Sequence, residues 1–134
     1  MQNTQHEYDL EDRTLEFAKR IRAFVKKLSI TIANIEDSKQ LIRSSGSVGA
    51  NYIEANEALS KKDFYHRIKI SRKESKESRY WLRLVYISEE QNELDNERNN
   101  LIQEVTELMK IFGSIITKKD KKENKNMEQY DLNV

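Results

Sequence analysis

The 134-residue sequence predicts an all-α protein, an antiparallel up-down four-helix bundle. Three observations carry that prediction. The chain has no proline and only three glycines, so it lacks the punctuation of a loop-rich or all-β fold. Charged residues make up 35% of it and hydrophobic ones 37%, close to the mix of long helices. Apolar residues recur at three- and four-residue steps through four successive stretches, the rhythm of amphipathic helices. By size the chain is one domain, with the bundle expected within residues 1–117.

The first helix is expected over about 10–28, where Leu15, Ala18, Ile21, Val25 and Leu28 form an apolar stripe that Phe17 and Phe24 widen. Asp9 or Asp12 is placed to cap its start. Ser29–Asn34 (SITIAN) is β-branched and weakly helical, which puts the first turn there. The second helix, about 36–59, aligns Ile35, Ile42, Gly49 and Tyr52 or Ile53 along one face. Ser60 then serves as N-cap of a third helix, about 61–88, with Asp63 at the third capping-box position. In that helix Phe64, Ile68, Ser71, Ser75, Ser78, Leu82 and Val85 alternate steps of four and three, a heptad seam with serines at its centre. The fourth helix, about 94–117, repeats the rhythm with Leu94, Leu101, Val105, Leu108, Phe112 and Ile115. Residues 118–134 are polar and aperiodic and read as a disordered tail.

The stretch RSSGSVGANYIEA, Arg43–Ala55, holds Gly46 and Gly49 among small serines. A loop here would split the second helix into pieces too short to span the bundle. A phosphate-binding loop needs GxxxxGK[ST] after a strand, and the sequence supplies neither. On a helix, each interior glycine costs about 0.5–1 kcal/mol relative to alanine, a cost that close helix packing at Gly46 and Gly49 can recover. The serine-lined seam of the third helix offers the matching small surface. Arg43, Ser47, Asn51 and Glu54 fall on an adjoining polar stripe, placed to meet Glu74 and Glu77 of the third helix in a partly buried network. Such a network sets helix register or, in a competing reading, pairs Glu54 and Glu77 for acid–base chemistry.

Several function classes lose support from composition. There is no cysteine, which removes disulfides and thiolate metal sites. His6 and His66 are far apart, and neither follows a glutamate by three residues as a di-metal bundle site requires. No metal, cofactor or catalytic residue is expected. No apolar run approaches the roughly 20 residues of a membrane span, and the polar N-terminus is unlike a signal peptide. A soluble, cytoplasmic protein is expected.

Net charge is only +1, yet it is strongly segregated: Lys61–Arg83 holds nine lysines and arginines against three acids, and Glu89–Glu107 holds seven acids against Arg98 alone. Opposite the third helix's seam, geometry places Lys62, His66, Lys69, Lys73, Lys76, Tyr80 and Arg83, with Arg72 and Arg79 on the shoulder. That face is either merely solvated or a track for nucleic-acid phosphates, with Tyr80 placed to stack on an unpaired base. Trp81 either completes the core or lines a subunit contact. The acidic fourth helix is a rival partner for a neighbour's basic face, which would consume the charge offered to RNA.

The residues from Arg43 to Tyr86 resemble the bacterial 23S rRNA intervening-sequence four-helix-bundle proteins. The likeness rests on Arg43, Ser44, Ser47, Asn51 and Glu54, on Lys61, Lys62 and Phe64 in the turn, and on Glu77, Trp81 and Leu82 beyond it. Tyr52 and Ala55 stand where the family usually has Ile and Gly. The resemblance covers roughly residues 15–117. It implies a bundle assembled as a ring-like homo-oligomer, typically a pentamer, encoded within 23S rRNA gene insertions or elsewhere on bacterial chromosomes. A related bundle is the nucleic-acid-binding accessory subunit of diversity-generating retroelement reverse transcriptases. The expected function is therefore non-catalytic RNA association through the third helix, with the lysine-rich tail as a further contributor. The alternative is a protein–protein adaptor, for example for a reverse transcriptase, that binds no RNA itself.

Overall fold

The computed structural model describes residues 10–132, with side chains described as far as Met127. Four helices follow one another: α1 (Leu10–Lys26), α2 (Ile32–Asn56), α3 (Lys61–Leu84) and α4 (Asn92–Leu132). Each packs against its neighbours in sequence and α4 returns to α1, the closed order of an up-down four-helix bundle. Asp9, His6 and the last two residues of the expected tail lie outside the described residues.

Local chemistry accounts for the helix limits. Thr31 caps α2, its side chain accepting from the Asn34 amide at 3.0 Å, so α2 starts at Ile32 rather than near residue 36. Ser60 caps α3 in the same way through the Asp63 amide at 3.1 Å. Glu11 and Asp12 in α1, and Glu93 and Asp95 in α4, place negative charge at helix N-termini, where the backbone dipole favours it. The third helix ends at Leu84, short of the expected residue 88, because Arg98 Nη1 donates to the Val85 carbonyl at 2.7 Å and fixes the chain there.

Asn34 joins the two turns at this end of the bundle. It is 2% exposed; its Nδ2 donates to the Ser29 and Tyr86 carbonyls, both at 3.0 Å, and its Oδ1 accepts from the Tyr86 amide at 2.9 Å. Buried backbone groups need such partners. Among the described residues, no buried side-chain polar atom lacks a partner.

The core is a column of Phe17, Ile21, Phe24, Leu41, Val48, Ile68, Leu82, Leu101, Val105, Leu108 and Phe112. The expected seams of α3 and α4 are buried except at Phe64 and Ile115, which are only partly so; Ile116 takes the core position at the far end of α4. Two stripes are rotated from expectation. On α1, Thr14, Phe17, Ile21 and Phe24 point inward and Leu15 is 53% exposed. On α2, Leu41, Ser44, Ser45, Val48 and Ala55 are buried, while Ile35 and Ile53 are 44% and 47% exposed. The reason is hydrogen bonding across the α2–α3 seam: Ser71 Oγ donates to the Val48 carbonyl and Ser78 Oγ to Ser44 Oγ, each at 2.9 Å. These bonds orient α2 with its small polar face inward.

The glycines therefore face α1, not the serine seam of α3. A Cβ added at Gly49 would lie 2.7 Å from Thr14 Oγ1, whereas one at Gly46 would meet only the end of Arg22 at 3.6 Å. Close approach at Gly49 is real, and its partner is Thr14.

The segment expected as a disordered tail from Lys118 instead continues α4 to Leu132. It contains neither glycine nor proline, and Lys119 both pairs with Glu123 at 3.3 Å and lies 5.1 Å over the Tyr65 ring of α3. Pairs at i,i+4 support helix, and polar composition alone does not oppose it. The fifteen-residue extension adds about 22 Å of helix at 1.5 Å per residue.

Candidate nucleic-acid interface

With Ile68, Ser71, Ser75, Ser78 and Leu82 buried, the opposite side of α3 faces outward. Lys62, His66, Lys69, Arg72, Lys73, Lys76, Tyr80 and Arg83 are all exposed, and Arg79 is half-buried. From Lys62 to Arg83 the row runs about 32 Å. Among the described residues none of Lys62, Lys69, Arg72, Lys73, Lys76 and Arg83 forms an ion pair. Arg79 Nη1 reaches Thr106 Oγ1 of α4 at 3.4 Å. Tyr80 stands edge-on to Trp81, ring centres 5.0 Å apart.

Acids of α3 and α4 are engaged by arginines of α1 and α2. Glu74 and Glu77 lie on the α2 side of α3, where Arg43 Nη1 meets Glu74 at 3.4 Å and Nη2 pairs with Glu77. Trp81 Nε1 donates to Glu77 Oε2 at 3.2 Å, and its indole is a partly buried neighbour of the core. On α4, Arg13 grips Glu104 through two bonds at 2.8 and 3.0 Å and Glu107 at 2.8 Å, while Arg20 reaches Glu97 at 3.4 Å. The hydrogen bonding of Arg13 to the Glu104 carboxylate, more than any other contact, holds the Arg13 guanidinium pKa above its ordinary value; Arg13 stays charged at any physiological pH.

The polar stripe of α2 is brought together only in part. Arg43 and Glu77 meet as described. Asn51 Nδ2 donates to the Ser47 carbonyl at 2.9 Å, and its Oδ1 accepts from Arg67 at 3.1 Å. Glu54 is exposed and joins neither group. Glu54 and Glu77 do not form a carboxylate pair; the contacts of the stripe with α3 are those of Arg43 with Glu74 and Glu77 and of Asn51 with Arg67. Among the described residues no cluster of His, Cys, Asp or Glu could hold a metal ion, and no helix is long and apolar enough to cross a membrane.

Sequence reasoning missed Lys110 of α4, which lines a cavity with Arg72 and Arg79. Lys119 and Lys122, within the lysine-rich segment expected to contribute, line a second with Lys61, Lys62 and Tyr65. Gly113, the third glycine, borders the first cavity. The available signal was a glycine mid-helix with no small-residue partner stripe.

Residues 6–114 match the family model described as 23S rRNA-intervening sequence protein. A crystal structure from Bacteroides thetaiotaomicron, of a protein of unknown function from the S23 ribosomal protein family, is 34% identical; the match covers 81% of this chain and 98% of that one, with a TM-score of 0.67. No curated protein matches the sequence.

Proposed function

The chain belongs to the 23S rRNA-intervening sequence protein family, and on that premise we propose that it is a non-catalytic, cytoplasmic homo-oligomer that associates with RNA through the outward face of α3. One observation carries the reading: six exposed lysines and arginines along about 32 Å of helix have no acidic partner among the described residues. Arg43 takes the two mid-helix acids of α3, and Arg13 and Arg20 take three of the acids of α4. Fewer α4 acids are then left to neutralise a neighbour's basic face. Phosphate neutralisation by such a row is sequence-independent and sensitive to salt.

Self-association has its own support on the opposite side of the molecule. Leu15 and Ile53, both about half exposed, border an apolar groove of about 340 Å³ between α1 and α2. Assembly, with the ring-like pentamer that the resemblance implies, would repeat the basic row around the particle and multiply a weak attraction per subunit.

The test is titration of a labelled structured RNA at about 50 and 200 mM salt, beside a variant carrying Lys69→Glu, Lys73→Glu, Lys76→Glu and Arg83→Glu. Four phosphate contacts imply a loss of roughly 100-fold across that salt range. The variant should lose most of its affinity for the structured RNA while light scattering shows the same oligomer. If the intact wild-type oligomer binds no RNA, the RNA reading is lost and the protein-adaptor reading takes its place.

A further inference from the structure

Two cavities follow one another along the seam between α3 and α4. The first, about 330 Å³, lies between Arg72 and Arg79 on α3 and Lys110 and Gly113 on α4. The second, about 520 Å³, is bordered by Lys61, Lys62 and Tyr65 on one side and by Lys119, Lys122, Asn126 and one acid, Glu123, on the extension of α4. Lys62 also begins the outward row, so the seam and the row share an end.

Gly113 distinguishes this seam from the one between α1 and α2. A helical glycine costs about 0.5–1 kcal/mol relative to alanine. Gly49 is explained by Thr14, which leaves no room for a Cβ. At Gly113 an added Cβ would meet nothing within 4 Å. Packing within the chain therefore does not account for it. What its missing side chain does is leave the floor open between arginines and a lysine. In the second cavity Lys119 is fixed by Glu123 and Tyr65, which seats the α4 extension against the start of α3. Lys61, Lys62 and Lys122 have no ion-pair partner among the described residues.

We infer that the α3–α4 seam seats one single strand of nucleic acid, its phosphates taken by Arg72, Arg79 and Lys110 over Gly113 and then by Lys61, Lys62 and Lys122. This rests on the RNA reading above and deepens it, naming the strandedness of the ligand and its course. Cavities of about 330 and 520 Å³ are each of the size that takes a small molecule, which suits single nucleotide units of one strand and not the body of a duplex. Arginine's planar fork matches phosphate oxygens in pairs. Arg72 and Arg79 stand two turns apart, about 10 Å, and the lysines continue the line, which suits a ligand that repeats its charge at every unit. An acidic peptide is the rival occupant.

The experiment compares a labelled oligouridylate with an RNA duplex of equal length on the full chain. Gly113→Leu fills the first cavity without meeting other atoms at its Cβ, and the double variant Lys110→Gln, Lys122→Gln removes charge from the seam while sparing the outward row. Each is expected to weaken oligouridylate binding about tenfold or more, with duplex binding by the outward row little changed. Gly113→Ala, too small to fill the cavity, should bind as the wild type does. If oligouridylate binds both variants at wild-type strength while the outward-row variant loses RNA, the seam is not the site and the RNA reading stands. If the wild type binds no RNA of either kind, both fall together. Displacement of oligouridylate from the seam by polyglutamate at equal charge concentration would assign the seam to acidic protein and overturn the inference.

Discussion

The two ends of the bundle are built on opposite plans. At the end where α1 turns into α2 and α3 into α4, polar groups are tied across the turns: Asn34 bridges Ser29 and Tyr86, Arg98 holds the Val85 carbonyl, and Gln91 Nε2 reaches the Lys27 carbonyl at 3.1 Å. At the other end the turn from α2 to α3 carries a fully exposed Leu59 and the Ser60 cap, and α4 runs on past it among lysines. Buried satisfied donors mark where stability is concentrated, because orphaning one costs the full desolvation of its partner. Exposed cations without an acidic partner do little for stability. The contrast separates the part of the molecule that holds its shape from the part where the proposed RNA contact lies.

The largest effect expected from this contrast is at the tied end. Asn34→Ala strips partners from the Tyr86 amide and from two carbonyls, and should cost about 3 kcal/mol of unfolding free energy. Ser60→Ala at the other end removes a single cap and should cost about 1 kcal/mol. Chemical denaturation at equal protein concentration, needed because an oligomer's stability depends on it, compares the two. Equal losses would mean that the ends do not differ in the way their hydrogen bonds suggest.

At the open end the comparison narrows to the two seams. Gly49→Ala would press a methyl group to within 2.7 Å of Thr14 Oγ1 and 3.1 Å of Thr14 Cβ. Thr14 cannot easily turn away, since its hydroxyl donates to the Leu10 carbonyl at 2.7 Å. Overpacking of this kind costs about 1–3 kcal/mol; after the gain in helix propensity, a net loss of about 1–2 kcal/mol is expected. A neutral or stabilised Gly49→Ala protein would show that α1 does not pack as closely as the structure places it.

Much of this architecture could be read from the sequence, and the misreadings share a cause. The α3 and α4 seams were readable because their periodicity is internal to one helix. The α2 core face was misassigned because Ile35 and Ile53 outrank Ser44, Ser45 and Val48 in hydrophobicity, while the hydrogen bonds that turn the serines inward come from α3. That Gly49 meets Thr14 depends on the placement of a second helix, which no pattern along α2 contains. Polarity alone predicts a tail over 118–134, whereas the helix there follows from the lack of glycine and proline together with the contacts of Lys119 to Glu123 and Tyr65. The outward row of α3 follows from the periodicity of one helix, and its residues other than Arg79 are exposed. The cavities beside it join Arg72 to Lys110 and Lys62 to Lys122, residues brought together only by folding.

Gly113 gives the smallest effect, and its sign is the informative part. Gly113→Ala adds a methyl group that meets nothing within 4 Å and removes backbone freedom from the unfolded chain, so it should stabilise the protein by about 0.5–1 kcal/mol. The same substitution at Gly49 has the opposite sign, although both glycines sit mid-helix. Measured by the same denaturation series, opposite signs would establish that one glycine is held by packing and the other is not. A destabilised Gly113→Ala protein would instead mean that something covers this position in the assembled oligomer. The seam would then be an interface between subunits, and a strand of RNA could not lie in it.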